Sequence, residues 1–317
     1  MNVKEIEEKL CSFGIEDAKT EGYLIVERLF GVSRGALLLN PAKDFDSCEL
    51  NTVLEKRKAR IPLQYIFGEW EFMGKKILVS EDCLIPQPDT EILVEKALEI
   101  LKKRDPVDGN NAKCKMQNAK CELDAPSVNC VDTSLHRWRQ INAKCEVDVA
   151  DLCTGSGCIG LSLLLYGGLD RVMLMDLSRG ALNMAKKNAE YHGVLDRCEL
   201  ILGDVTKDMP KKLYDVIVSN PPYIPSGDIA LLPEEVKKEP LMALDGGRDG
   251  LDIIRFLIGE GLGYLKENGV MLIEFGYDQG DVMDTLLRQK RDTGSIKSYE
   301  ILKDYGNNPR VAVIYGK

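Results

Sequence analysis

The chain has 317 residues and a net charge of −9, with 42 Lys and Arg against 51 Asp and Glu. Its 44% hydrophobic and 29% charged composition is typical of a globular protein and excludes the collagen-like, disordered and disulfide-scaffold classes. The excess of acidic residues argues against binding to a nucleic-acid backbone. The longest apolar runs are less than half of the ~20 residues that a membrane span needs. The charged first residues predict that there is no signal peptide.

The first 75 residues have the pattern of a small helical bundle. Ile6, Leu10 and Phe13 recur at helical spacing, and residues 23–30 interleave apolar with charged side chains. This segment contains no constellation of histidines or paired carboxylates that would mark a catalytic group. We therefore predict that residues 1–75 form a helical domain that binds a partner or positions a substrate.

A hairpin and a helix are predicted to link this domain to the rest of the chain, at residues 76–103. Aromatic and β-branched residues between positions 60 and 79, with Gly68 and Gly74, indicate a short hairpin. The stretch LIPQP then predicts a turn, and a helix is expected to open at Asp89 or Thr90, two residue types that cap helix N-termini. The buried face of that helix is predicted at Leu93, Ala97, Ile100 and Leu101.

Residues 104–143 break the periodic pattern. The tetrapeptide NAKC starts at Asn111, Asn118 and Asn142, and the polar stretch around the copies predicts a flexible surface insertion. His136 in this tract is expected to be solvated. The chain's ten cysteines form no C-x-x-C pair, which predicts free thiols in a reducing cytoplasm and no metal site. A zinc site among the cysteines of residues 114–145 stays open as the alternative.

Strands and helices alternate from residue 147 onward, which predicts an α/β fold with a doubly wound, mostly parallel sheet in residues 144–317. The predicted strands are residues 147–152, 171–177, 198–204, 214–220, 269–275 and 310–316. The predicted helices are residues 178–191, 249–267 and 277–291. Ligands of such sheets bind at the carboxyl ends of the strands, so the residues that follow each strand are the candidates for function.

A glycine-rich turn follows the first of these strands. Gly155, Gly157 and Gly160 satisfy G-x-G-x-x-G, and Asp176 ends the next strand, 21 residues beyond Gly155. Such glycines admit close approach of a ligand to the backbone, and the carboxylate accepts hydrogen bonds from ribose hydroxyls. Nicotinamide dinucleotides and S-adenosylmethionine both fit this pattern. Asp151 favours the second, because a carboxylate there would repel a pyrophosphate and attract an ammonium and a sulfonium.

The motif Asn220-Pro221-Pro222-Tyr223 follows the fourth predicted strand. Two prolines fix φ and prevent the strand from continuing, so the turn is rigid and the Pro221 carbonyl has no ladder partner. The Asn220 amide and this carbonyl supply two acceptors, and Tyr223 supplies an aromatic face. Together they predict a receptor for a planar NH2 group.

Outside the insertion, the chain resembles the HemK/PrmC family of methyltransferases. The resemblance rests on the motifs D-x-x-T-G-S-G, N-P-P-Y, R-x-P-L-Q-Y-I-x-G, L-I-P-x-P-D-T-E and E-P-x-x-A-L-D-G-G-x-D-G-L, and on Asp304, Gly306 and Arg310. It implies a Rossmann-like class I fold with a seven-stranded sheet and S-adenosylmethionine as cofactor. It also implies methylation of the glutamine side-chain amide in the Gly-Gly-Gln motif of class-1 peptide chain release factors. Neither a nucleic acid nor a membrane is expected as a partner.

The resemblance implies a role for each matching residue. The residues that would hold the cofactor are Cys153, Thr154, Gly155, Ser156 and Gly157 around its methionine part, Asp176 at the ribose, Asp204 and Val205 beside the adenine, and Asn220. The residues that would hold the glutamine amide are Asn220, Pro221, Pro222 and Tyr223, of which Asn220, Pro221 and Tyr223 are the expected catalytic groups. No metal is implied.

Two departures from the family pattern and three alternatives accompany this interpretation. Cys153 stands where a glycine is common, so we expect an ordinary φ there, and Gln87 stands where an arginine is common. A glutamine of a ribosomal protein is one alternative substrate, and an exocyclic amine of a nucleic acid is another. A nicotinamide-dependent dehydrogenase is the alternative from a different enzyme class, but it leaves N-P-P-Y without a role.

Overall fold

The computed structural model describes residues 1–104 and 147–317. The NAKC copies, His136 and the cysteines of residues 114–145 lie outside the described residues, as does the predicted insertion beyond its first residue. Within the described ranges, no helix combines the length and the apolar character that crossing a membrane requires.

Helices dominate the N-terminal range, and strands alternate with helices after residue 147. The α-helices span Val3–Ser12, Ala18–Phe30, Arg34–Leu39, Cys48–Lys58, Leu63–Phe67, Asp89–Arg104, Cys158–Tyr166, Arg179–Tyr191, Leu241–Leu244, Asp252–Ile258 and Gly280–Asp292. The strands are β1 (Glu69–Phe72), β2 (Lys75–Leu78), β3 (Val149–Leu152), β4 (Val172–Asp176), β5 (Cys198–Leu202), β6 (Tyr214–Ser219), β7 (Leu265–Glu274), β8 (Ser298–Lys303) and β9 (Pro309–Tyr315).

Seven strands form one twisted sheet in the order β5-β4-β3-β6-β7-β9-β8. The first five run parallel, and β9 is antiparallel to both of its neighbours. Alternate residues of the central strands pack into two separate apolar clusters; Val216 and Val218 belong to one and Ile217 to the other. Helices cover both faces, so the prediction of a doubly wound, mostly parallel sheet is confirmed.

Two predictions about this sheet need correction. The strand β8 was not expected from the sequence, because its side chains are half-buried or exposed at the sheet edge and carry no continuous apolar run. The helix predicted at 249–267 is wrong in its second half, where a 3-10 helix covers Glu260–Tyr264 and β7 already begins at Leu265. Gly259 ends the α-helix with φ −97° and ψ −97°, outside the helical region.

The N-terminal helices pack around a core of their own. A capping box opens the first helix, in which the Asn2 side chain accepts hydrogen bonds from the Lys4 and Glu5 amides. Ile6 and Leu10, predicted from their spacing, are fully buried in this core. The predicted hairpin consists of β1 and β2, paired in antiparallel register, and the residues before it form a short helix instead.

A buried ion-pair cluster joins these helices to the segment that follows β6. The Arg57 guanidinium, 1% exposed, pairs with Glu21 and with Glu235. Arg60 contacts the same Glu235 carboxylate, with Arg60 Nη2 3.0 Å from Glu235 Oε2. Because Glu235 lies between β6 and the helix Leu241–Leu244, the N-terminal helices are tied to the edge of the sheet where the parallel strands end.

Candidate active site

A cleft of about 990 Å³, including its open mouth, lies at the carboxyl ends of β3, β4, β5 and β6. Its wall brings together eight of the predicted cofactor residues, which are Cys153, Thr154, Gly155, Ser156, Asp176, Asp204, Val205 and Asn220. Gly157, Pro221 and Tyr223 are not among the lining residues, whereas Pro222 is.

The glycines of the turn after β3 each meet a steric requirement of the backbone. Gly155 and Gly157 have φ of 56° and 82°, a region that side chains disfavour. Gly160 has no room for a side chain, because a Cβ there would lie 2.3 Å from Leu174 Cδ2. The turn therefore bends sharply and packs its helix tightly on β4, with the backbone exposed to the cleft.

Cys153 does not have the ordinary φ expected from the sequence. Its φ is 58°, so a residue with a side chain occupies the left-handed region at the point where β3 leaves the sheet. Cys153 lines the cleft, and burial raises the pKa of its thiol, so the thiol is in its neutral form at neutral pH. The backbone of the turn, rather than the residue type at this position, sets the conformation.

The carboxylates of Asp151, inside β3, and Asp176, at the end of β4, have different surroundings. Asp151 is buried outside the cleft wall, where its Oδ2 accepts hydrogen bonds from the Thr154 hydroxyl at 2.6 Å and the Gly160 amide at 2.9 Å. Asp151 therefore closes the turn through Oδ2, while its Oδ1 has no hydrogen-bond partner among the described residues, and its attraction for a cationic cofactor stays a prediction. Asp176 lies in the cleft wall and accepts from the Gly155 amide at 2.8 Å, and burial raises the pKa of its carboxyl.

Asp204 and Val205, which follow β5, place a charged and an apolar side chain next to each other in the cleft wall. The Asp204 carboxylate accepts hydrogen bonds from Thr206 and Lys207, which lower its pKa to about 2. Asp204 is therefore an ionised acceptor at neutral pH. Val205, which is 6% exposed, adds an apolar surface next to it.

Asn220 presents an oxygen to the cleft. Its Nδ2 donates to Thr90 Oγ1 at 3.2 Å, and its Oδ1 receives no hydrogen bond from the described residues. The Pro221 carbonyl likewise accepts none from the part of the chain that the structure describes. The Tyr223 hydroxyl lies 3.4 Å from Glu274 Oε1 behind the cleft wall, and burial raises the pKa of this tyrosine. Asn220 Oδ1 and the Pro221 carbonyl thus have no donor among the described residues, and their role as a receptor for an NH2 group stays a prediction.

The structure places Thr90 in the cleft wall and shows two buried acidic residues, Glu239 and Glu274, which are not among the residues that line it. Thr90 was expected only as a helix cap, yet it is 2% exposed and lines the cleft. Glu239 is buried with its carboxylate accepting the Ile85 amide at 2.9 Å, and burial raises its pKa to about 7. Glu274, at the end of β7, is 1% exposed. In the sequence, the only feature that could have drawn attention to Glu274 is that it is the single acidic residue in the otherwise apolar run GVMLIEF.

The cleft has the chemistry of a site for a nucleoside-bearing cofactor. Ser156 Oγ lies buried in the wall without a hydrogen-bond partner among the described residues, so it is free for a polar ligand group. Asp176 and Asp204 are acceptors for hydroxyl and amino groups, and Val205 and Ile253 supply apolar contact. Within residues 1–104 and 147–317, no group of three or more His, Cys, Asp or Glu is arranged to hold a metal ion.

Comparison with known proteins shows matches along almost the whole chain. Residues 3–68 match the family model "PrmC N-terminal domain", and residues 137–232 match "Methyltransferase small domain". The release factor glutamine methyltransferase of Moorella thermoacetica is 32% identical over 97% of this chain and 94% of its own length. The protein of the same name from Aquifex aeolicus is 32% identical over 99% of this chain and 95% of its own length.

Proposed function

The chain belongs to the release factor glutamine methyltransferase family, and from this premise we propose its substrate and cofactor. It is a methyltransferase. In our proposal it transfers a methyl group from S-adenosylmethionine to the side-chain amide nitrogen of the glutamine in the Gly-Gly-Gln motif of class-1 peptide chain release factors. The observation that carries the proposal is the pair of acceptors without a donor among the described residues, Asn220 Oδ1 and the Pro221 carbonyl, next to the cleft that Asn220 lines.

The residues of the cleft fit S-adenosylmethionine. The turn from Cys153 to Gly157 would surround the methionine part, and Ser156 Oγ is the free polar group of that turn. Asp176 would accept hydrogen bonds from the ribose hydroxyls, as acidic residues at this position of such sheets do. Asp204 and Val205 would contact the adenine, through an ionised acceptor and an apolar surface. When bound, the cofactor supplies an electrophilic methyl group on a sulfonium.

The reaction requires the protein to act on a poor nucleophile. An amide nitrogen delocalises its lone pair into the carbonyl, so holding it in the right orientation matters more than removing its proton beforehand. Asn220 Oδ1 and the Pro221 carbonyl can each accept one N–H bond of the glutamine amide. This grip would orient the nitrogen towards the methyl group that the cofactor supplies and would stabilise the positive charge that the nitrogen develops, and one N–H proton would leave to water as the methylated amide forms. Tyr223 supports the turn from behind, through Glu274.

The test incubates the protein with S-adenosylmethionine labelled in its methyl group and a release factor, and locates the label by peptide mass. A release factor whose Gly-Gly-Gln glutamine is replaced by alanine serves as the control. Label on that glutamine alone supports the proposal. Label on the alanine version, or on ribosomal protein or nucleic acid in preference to the release factor, would contradict the proposed substrate.

Asn220→Ala tests the acceptor pair. Loss of one preorganised polar group of this kind lowers kcat by about 100-fold or more. Asn183→Ala is the matched control, because Asn183 lies exposed on the helix Arg179–Tyr191 and should leave kcat unchanged. If Asn220→Ala kept the full kcat and altered only the KM for the cofactor, the role assigned to Asn220 would be wrong.

A further inference from the structure

The turn at residues 220–223 is backed by the loop at residues 245–250. The Ile224 amide donates to the Leu244 carbonyl at 2.9 Å, and the Gly246 amide donates to the Ile224 carbonyl at 2.9 Å. These bonds join the chain just after the turn to the start of the loop. The loop has the sequence DGGRDG, part of a motif to which the proposed function gives no role.

Two glycines bring the loop closer to the backbone of the turn than any side chain would allow. A Cβ on Gly246 would lie 2.6 Å from the Pro222 carbonyl oxygen, and a Cβ on Gly250 would lie 2.1 Å from the Tyr223 carbonyl oxygen. Gly250 also has a φ of 75°, which side chains disfavour. The loop and the turn are therefore in direct contact through their backbones.

The Gln279 side chain contacts both segments. It is 7% exposed and directly precedes the helix Gly280–Asp292. Its Nε2 donates to the Tyr223 carbonyl at 2.9 Å and lies 3.4 Å from the Gly250 carbonyl oxygen. Its Oε1 accepts from the Gly276 amide at 2.9 Å. Because the donor end and the acceptor end of the amide each have a partner, the side chain has one defined orientation.

The Tyr223 carbonyl is the atom group through which Gln279 can act on the acceptors of the turn. Peptide planes are rigid, and the proline rings fix φ at Pro221 and Pro222. Between the Pro221 carbonyl and the Tyr223 carbonyl, rotation therefore remains only about ψ of Pro222 and the dihedrals of Tyr223. Holding the Tyr223 carbonyl, with the loop packed against the Pro222 carbonyl, restricts the direction of the Pro221 carbonyl.

We propose that Gln279 is a positioning residue that fixes the turn at residues 220–223, and with it the Pro221 carbonyl, for the glutamine amide of the substrate. Its catalytic consequence rests on the proposed function, whereas the position of the turn is a property of the protein without substrate. Gln279 is not among the described residues that line the cleft, so it acts through the Tyr223 carbonyl and not by contact with the cofactor.

Gln279→Glu separates positioning from cofactor binding. Glutamate keeps the shape and an oxygen for the Gly276 amide, but it loses the donor and, when ionised, repels the carbonyls of Tyr223 and Gly250. We expect kcat to fall by about 10-fold or more, with the Kd for S-adenosylmethionine changed by less than about 3-fold.

Gln289→Glu is the matched control, because Gln289 lies exposed on the helix that follows Gln279. Exposed substitutions of this kind have small effects, so kcat and Kd should both stay within about 3-fold of the original values. A full kcat in Gln279→Glu, or a loss of cofactor affinity as large as the loss of kcat, would overturn the inference.

A second readout does not depend on methyl transfer. The Ile224 and Gly246 amides report whether the turn and the loop stay paired, and the Gly157 amide, which donates to the Thr154 carbonyl at 2.9 Å, reports on the turn after β3. In Gln279→Glu, we expect hydrogen exchange measured by NMR to become about 10-fold faster or more at the first two amides and to change by less than about 3-fold at Gly157.

Gln279→Met, which keeps the length and removes both polar ends, serves if the glutamate variant does not fold. Unchanged exchange at Ile224 and Gly246, or equal acceleration there and at Gly157, would refute the positioning role. If the exchange pattern is as expected and the unmodified protein does not methylate the release factor, the proposed function is refuted alone.

Discussion

Replacing Arg57 by methionine tests whether a buried charge cluster holds the N-terminal helices to the edge of the sheet. Arg57 Nε lies 2.8 Å from Glu21 Oε2, and Arg57 Nη2 lies 3.3 Å from Glu235 Oε1. Its Nη1 also donates to the Ile61 carbonyl at 2.7 Å. Methionine has nearly the same helix propensity as arginine and fills the same stem volume, so the variant removes mainly the charge and its hydrogen bonds.

The expected loss in the free energy of unfolding is about 4 kcal/mol, of which about 3 kcal/mol comes from the broken ion pairs and about 1 kcal/mol from the Ile61 carbonyl. Removing one partner of a buried ion pair typically costs about 3–5 kcal/mol, because the remaining charge is left without compensation. Two observations place this case at the lower end. The carboxylates of Glu21 and Glu235 are 21% and 24% exposed and regain some hydration, and Arg60 still pairs with Glu235. The Ile61 carbonyl, which loses its donor in this variant, adds about 1 kcal/mol to the loss in the free energy of unfolding.

The assay is equilibrium unfolding in urea, followed by circular dichroism, with Arg288→Met as the matched control. Arg288 also lies within a helix and pairs with an acidic residue, Asp284, but its side chain is 60% exposed. Exposed pairs of this kind contribute about 0.3–0.5 kcal/mol. The reasoning fails if Arg57→Met costs no more than Arg288→Met.

Two further predictions concern the turn after β3 and the buried carboxylates. Cys153→Gly should change the free energy of unfolding by less than about 1 kcal/mol, because glycine tolerates the φ of 58° but also makes the unfolded chain more flexible. Cys153→Val should lower the free energy of unfolding by more than about 2 kcal/mol in the same urea assay, because a β-branched side chain disfavours that φ. Equal losses in the two variants would contradict the strain argument. Burial raises the pKa of Glu239 to about 7 from 4.5, so its contribution to stability is present below pH 4.5 and is lost as pH rises through 7. Thermal unfolding between pH 5 and 8 should therefore show a smaller fall in stability for Glu239→Gln than for the original protein. Some fall should remain in the variant, because the pKa values of Asp151 and Glu274 are also raised to about 7.

The central sheet was predictable because its strands carry a strong local signal. Strands buried on both faces appear as short continuous apolar runs, and β3, β4, β6 and β9 are of this kind. The glycine-rich turn and the N-P-P-Y turn were equally visible, since glycine and proline restrict the backbone by their own chemistry. The edge strand β8 lacks both kinds of signal.

The parts of the site that the sequence did not reveal depend on contacts between distant residues. Thr90 and Asn220 are 130 positions apart, and no spacing rule relates them. The left-handed φ of Cys153 is imposed by the path of the turn after β3, so the presence of a side chain was a misleading local signal. The break between Ile258 and Leu265 arises from the start of β7, which pairs with β6.

The donors that an acceptor already has, together with its place relative to the cleft, say more about its role than residue type does. Asp151 looked like a ligand group from its place near the end of β3, but its Oδ2 is occupied by two donors from its own turn, and the residue lies outside the cleft wall although its Oδ1 has no partner among the described residues. Asn220 carries no charge, yet it lines the cleft and its Oδ1 has no donor among the described residues. The proposed substrate, a primary amide, has two N–H bonds on one nitrogen, which matches the two donors that Asn220 Oδ1 and the Pro221 carbonyl can accept.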